Sequence, residues 1–173
     1  MGAQRKPVVV RRLSGELTLG YAGARFGQDT PALEVLDLQG KVLNLAWEQV
    51  KWVCYIRDLP ADPEQAVFPE RLLHKKFAIR PRTPGVWLRM TLIDGDELEG
   101  LAANDRTLLE GAGLLLTPPD TRSNTQRIYI PRQAIATLEV AGVIGLAPRT
   151  RPAAPPQPPQ SELFPFEPSH PGP

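Results

Sequence analysis

Cys54 is the single cysteine in a chain of 173 residues. That excludes an intramolecular disulfide framework and any structural zinc site built on several thiolates, and it suits a reducing compartment. Histidine, the usual proton carrier near neutral pH, occurs twice. His74 lies in a proline-broken stretch and His170 in a proline-rich tail, so neither is placed to serve a nucleophile. Net charge is also missing: 20 Lys and Arg stand against 19 Asp and Glu, so overall charge draws the chain to no polyanion and any basic patch must be local. No apolar run approaches the roughly 18 residues of a membrane span. The basic start Met1 to Lys6 is followed by three valines, Val8 to Val10, too few for the apolar core of a signal peptide. Lys6 stands where an N-myristoylation signal needs Ser or Thr. Neither G-x-x-x-x-G-K-[ST] nor G-x-G-x-x-G occurs, so no usual phosphate cradle is present. These absences point to a cytoplasmic, non-catalytic chain with no cofactor and no membrane contact.

What is present is strand pattern, written twice. Thr91 to Gly100, T-L-I-D-G-D-E-L-E-G, reads as a strand, a tight Asp-Gly turn and a second strand. Ser14 to Gly20, S-G-E-L-T-L-G, repeats the turn glycine, the acid after it and a second glycine five positions on, displaced by 80 residues. In the first copy, strands are predicted at Val8 to Leu13, Leu17 to Tyr21, Ala32 to Leu38 and Val42 to Leu45. A short helical turn over Ala46 to Gln49 then leads into Val50 to Ile56. In that last strand Val50, Trp52, Cys54 and Ile56 are expected on one face with Val53 and Tyr55 on the other, so both faces are buried. In the second copy the strands begin at Val86 and continue through Leu114 to Leu116 and Arg127 to Ile130. Pro131-Arg132-Gln133 then matches Ala46-Trp47-Glu48, and Ile135 to Val140 matches Val50 to Tyr55 at an offset of 85.

The expected fold is all-β: two tandem five-stranded small barrels at residues 7–59 and 86–145, a basic proline-containing linker at 60–85 and a disordered proline-rich tail at 146–173. Asp62-Pro63-Glu64-Gln65 carries helix-start chemistry, with Pro69 limiting that helix to about two turns. Residues 147–173 contain ten prolines, too polar and too proline-rich to bury a core.

Several constellations are candidate sites. Arg71, Lys75, Lys76, Arg80 and Arg82 cluster in the linker, and Trp87 follows them, so these six are candidate nucleic-acid contacts. A solvated linker face is the plainer account of the same charges. Trp47 and Trp87 could stack bases, whereas Trp52 reads as core. Asp94, Asp96, Glu97 and Glu99 are close enough in sequence to suggest a cation site, but alternation is expected to send them to opposite faces. Cys54, in an apolar strand, reads as packing and not as a nucleophile. In the tail, Leu163, Phe164 and Phe166 are bulky apolar residues that neither solubility nor spacing requires, and they form a candidate peptide motif.

Each copy, with its strand, glycine turn, strand with a glycine five on, central strand, turn, strand, helical turn and closing strand, resembles the Sm-like and SH3-like small barrels. The segments V-V-V-R-R-L-S-G-E-L, Y-I-R-D-L, D-G-D-E-L-E-G and P-P-D-T-R-S-N-T-Q-R-I-Y-I together resemble an uncharacterised bacterial domain family with duplicated strands and no assigned activity. An Sm-type RNA pocket needs Asp and Asn in the loop after the second strand and an Arg-Gly-type turn before the last. Asn104-Asp105 stands in that loop, but neither Trp47-Glu48-Gln49 nor Pro131-Arg132-Gln133 supplies the second half. Arg11-Arg12 and Arg122-Ser123-Asn124 likewise do not form the signature of a PilZ-type cyclic-dinucleotide barrel. The reading is a binding or adaptor protein with an unknown protein partner and a homo-oligomer possible. Nucleic-acid binding through Sm-like barrels and the basic linker is the alternative.

Overall fold

Period-two alternation of β-branched and aliphatic residues, cut by Gly-containing turns, produces strands, and ten of them form here. The structure, a computed structural model, describes residues 5–23, 30–60, 76–120 and 123–145. The first five strands are β1 (Arg5–Arg12), β2 (Leu17–Gly23), β3 (Ala32–Asp37), β4 (Val42–Ala46) and β5 (Val50–Ile56). The second five are β6 (Gly85–Leu92), β7 (Glu97–Ala102), β8 (Gly113–Thr117), β9 (Thr125–Pro131) and β10 (Ile135–Ile144). A 3₁₀ turn precedes β5 at Trp47–Gln49 and another precedes β10 at Arg132–Ala134. One helical turn, Thr107–Glu110, was not anticipated; Asp105 accepts hydrogen bonds from the Thr107 backbone N–H and hydroxyl at its start.

All pairings are antiparallel, and the strands make a single unclosed sheet in the order β10-β6-β7-β8-β9-β5-β1-β2-β3-β4. Each half therefore has the same internal order, its fifth strand beside its first and then second, third and fourth. The two five-stranded units are not separate sheets as expected. They are joined strand to strand by β5 and β9, with Val53 opposite Tyr129, Cys54 opposite Ile128 and Tyr55 opposite Arg127. The cause lies in β5, all seven of whose residues are buried: two apolar faces need two cores, and a buried second edge needs a hydrogen-bonding partner. Asn124 fastens the same junction. Its side-chain oxygen accepts from the Arg57 and Asp58 backbone N–H groups at 3.1 Å, and its amide donates to the Asp58 carbonyl at 2.9 Å.

The duplication is visible at residue level. Gly15 and Gly95 hold the same place in the two hairpin turns with φ of 91° and 90°, a left-handed conformation that favours glycine. The second glycine of each copy has a different reason. A Cβ on Gly20 would collide with the Leu36 carbonyl oxygen, and one on Gly100 would lie 2.9 Å from the Leu116 Cβ, because β3 and β8 approach their paired strands β2 and β7 closely at equivalent points. Both fifth strands also carry the same bulge. Arg12 and Arg11 face Val50 and Trp52, skipping Lys51, and Leu92 and Thr91 face Ile135 and Thr137, skipping Ala136. That bulge corrects one face assignment: it shifts the alternation so that Val50 packs with Val53 and Tyr55, not with Trp52, Cys54 and Ile56.

Two cores result. Val8, Val10, Leu33, Val35, Leu45, Val50, Val53 and Tyr55 from the first half pack with Tyr129 from the second. Leu88, Met90, Leu98, Leu114, Leu116, Ile128 and Ile130 pack with Val9, Leu19, Trp52, Cys54 and Ile56 from the first half. The outer face of the first half is thus the lid of the second core. The proposed helix in the linker and the proline-rich tail lie outside the described residues.

Candidate functional site

The sequence pointed to the basic linker, and of its six candidates four can be placed. Arg71 and Lys75 lie outside the described residues, as do Leu163, Phe164 and Phe166. Lys76 makes an ion pair with Glu97 at 3.0 Å, and the Arg80 guanidinium donates to the Val143 carbonyl at 3.2 Å. Arg82 is exposed. Trp87 is half-buried and held on three sides: its indole N–H donates to Glu99 at 3.2 Å, the Arg89 guanidinium lies 5.2 Å from its ring centre, and Phe77 meets it edge-on at 5.8 Å. A ring so occupied presents little free face to a nucleobase.

Glu99, which the sequence offered only as one of four acids for a cation site, is instead the hub of this cluster. Its side chain is 4% exposed and accepts from Phe77 N–H at 3.0 Å, Arg89 Nε at 2.8 Å and Trp87. Burial opposes the charge on Glu99, but those donors outweigh it and hold the carboxyl below the usual range. The effect is to pin the linker at Phe77 onto β6 and β7. A recess of about 390 Å³ opens beside it, lined by Lys76, Arg89, Glu97, Glu99 and Glu139 among others. Its walls are already paired with one another, which describes a solvated polar face.

Lys51 is a second buried charge that pattern reading passed over. Its side chain is 4% exposed, and its ammonium sits between the Asp94 and Asp96 carboxylates of the β6–β7 turn. Of the four acids weighed for a cation site, Asp94 and Asp96 converge on Lys51, while Glu97 and Glu99 lie apart from them, paired with Lys76 and Arg89. Partial burial raises the Asp94 carboxyl, and the hydrogen bond from Lys51 with backbone N–H donors lowers it further, leaving it below the ordinary value. The bulge aims Lys51 out of the first half and into the turn of the second, so the pair is a clamp between halves. In such a setting the carboxylates have a cation already. Burial pushes the Cys54 thiol up, so it is not a nucleophile at neutral pH. Among the described residues, no three His, Cys, Asp or Glu side chains are grouped as metal ligands would be.

The remaining feature is an edge. β4 and β10 end the sheet, and they differ: β4 has five residues, β10 has ten. Along β10, Leu138, Val140 and Val143 stand opposite Met90, Leu88 and Val86 of β6. Directly opposed residues share a face, so these three lie on the core side of the sheet. Yet they are 41%, 57% and 55% exposed, while Met90, Leu88 and Val86 are at most 3% exposed. The equivalent positions in β5 are Val53 and Tyr55, opposite Val10 and Val8, and they are 0% and 6% exposed. What covers them is the next strand, β9, whose Tyr129 joins the first core. β10 has the same row of core-facing side chains and no strand beside it among the described residues. Completing the burial of each would contribute on the order of 1 kcal/mol. A long edge with an apolar row and unpaired backbone is a template for another strand.

The other face of β10 is different again. Thr137 and Glu139 replace Trp52 and Cys54, and Arg89 and Glu99 replace Val9 and Leu19 on the neighbouring strands. A further copy of this unit packed as the halves pack would bury those charges, so this face terminates the repeat.

Comparison with known families agrees with this span. The profile of DUF6982, described as a family of unknown function, matches residues 4–142. The chain belongs to DUF6982. The match covers both halves and most of β10, so the DUF6982 unit is the whole ten-stranded sheet and not one five-stranded half. No curated protein and no solved structure matches. Among the described residues, no helix is long and apolar enough to cross a membrane.

Proposed function

We propose that this protein is a non-catalytic binding module that accepts an extended segment of polypeptide along β10. One observation carries the reading: Leu138, Val140 and Val143 face the core side of the sheet and remain about half exposed, whereas the matching residues of β5 are covered by a neighbouring strand. Recognition by strand addition needs such an edge, with backbone groups supplying affinity and an alternating apolar row supplying selectivity. We read each half as a small Sm-like or SH3-like unit, on the strength of its strand order and 3₁₀ turn, and the cytoplasm as a compartment that suits the lone buried thiol.

Nucleic-acid binding takes second place because Lys76, Arg80 and Arg89 are engaged within the chain and Trp87 is enclosed. Selection of extended peptides from a displayed library on the full chain tests the reading. Peptides with alternate apolar residues should be captured, and Val140→Arg should weaken them at least about tenfold. Capture that ignores Val140→Arg would overturn it.

A further inference from the structure

The reading of β10 as a strand acceptor leaves its occupant open, and the sequence supplies one within reach. We propose that residues 161–167 of this chain, Ser161-Glu162-Leu163-Phe164-Pro165-Phe166-Glu167, lie antiparallel against β10, with Phe166 opposite Leu138 and Phe164 opposite Val140. The inference rests on that reading and adds the identity of the strand.

The internal junction is the template. There Val53 is met by Tyr129, an aromatic on an antiparallel strand, and the pair is buried in the first core. Leu138 is the equivalent of Val53, so the place of Tyr129 calls for a large apolar ring. Phe164 and Phe166 are two apart and therefore share a face, as the row on β10 requires. Pro165 falls between them. Successive N–H groups of a strand point to opposite edges, so the donor that Pro165 lacks is on the edge away from the one Phe164 and Phe166 present. Pro168 has the opposite parity, and its missing donor would face β10; the strand ends before it.

Reach and charge agree. Fifteen residues separate Gly145 from Ser161, about 46 Å in polyproline geometry at ~3.1 Å each, while Val140 lies only about 17 Å back along β10 at ~3.3 Å per residue. The register sets Glu162 against Gly142, next to Val143, whose carbonyl already receives the Arg80 guanidinium. Beyond Arg151 the chain carries Glu162 and Glu167 and no Lys or Arg, and the register brings Glu162 toward Arg80 while Glu167 stands opposite Thr137. A tether of this length gives an effective concentration on the order of 1 mM, which favours the chain's own segment over a second copy at ordinary protein concentrations.

Disulfide trapping in the full chain tests the register. Cα atoms of opposed strand residues lie within disulfide range, and Cys54 is fully buried and does not compete. Under mild oxidation Leu138→Cys with Phe166→Cys should close an intrachain bond about tenfold faster than Leu138→Cys with Gln157→Cys, a pair with a shorter tether. Equal rates overturn the proposal, and a disulfide-linked dimer overturns its intrachain form. Library-selected peptides give the second readout. For a segment Kd on the order of 100 μM, Phe164→Ser with Phe166→Ser should raise their affinity roughly tenfold by vacating the edge. Peptides that bind both chains equally leave β10 a strand acceptor and sink the tail as its occupant. If no peptide binds either chain and no cysteine pair closes, both readings fall.

Discussion

β5 and β10 are the same strand written twice, each with a bulge after its first residue and each paired to the first strand of its half, yet one is sealed and the other open. In β5, Trp52, Cys54 and Ile56 fill the second core while Val53 and Tyr55 fill the first. In β10, Thr137 and Glu139 take the outer positions, and Leu138 and Val140 face inward with nothing beside them among the described residues. The difference shows how a duplicated unit limits its own growth. A polar outer face takes the place of the apolar one that joins the halves, and the apolar row beside it stays exposed.

Substitution at equivalent positions is the sharpest way to break that comparison. Trp52→Ala removes a ring that is 2% exposed and should lower unfolding free energy by about 3–5 kcal/mol in urea melts, whereas Thr137→Ala should stay within about 0.5 kcal/mol. Equal losses would mean that the two strands are covered alike. One step down, Val53→Ala should cost about 1–3 kcal/mol and Leu138→Ala less than about 1 kcal/mol, since only the first leaves a closed cavity. Lys51→Ala should then cost about 1–2 kcal/mol: the ammonium is buried, but its carboxylate partners are partly solvated and can rehydrate when it is gone. Ala136→Ser, at the matching bulge, should be neutral.

The smallest effect is on pH. Asp94 and Glu99 both have folded-state values below their unfolded ones, so each contributes stability that is fully present above the ordinary carboxylate range and lost as pH falls through the lowered values. Melting midpoints measured from neutral pH down into that range should therefore decline, and Lys51→Ala should flatten the part of the decline due to Asp94. A decline of unchanged slope would remove Lys51 as the cause.

Strand positions were legible in the sequence because each strand buries one face and the alternation records it; β5 was read at Val50 to Ile56 and occupies those residues. The joining of the halves was half legible. An apolar β5 announced that two surfaces cover it, but nothing local to Thr125–Pro131 marks it as the partner, because long-range pairing leaves no periodic trace. Lys51 carried a usable signal, a charge inside an otherwise apolar strand, and the bulge that redirects it could not be read from alternation. The open row on β10 was also written in the sequence, in the contrast of Thr137 and Glu139 with Trp52 and Cys54, but exposure depends on a neighbour's absence, which only the sheet order reveals.

Hydrogen exchange across the two fifth strands of one full-length chain tests the central claim most directly. The account predicts that amides of Val53 to Ile56 exchange at the same slow rate in the wild-type chain and in Phe164→Ser with Phe166→Ser, while those of Leu138 and Val140, which face the free edge, exchange about tenfold faster in the variant. Amides of β10 that exchange identically in both chains would contradict it.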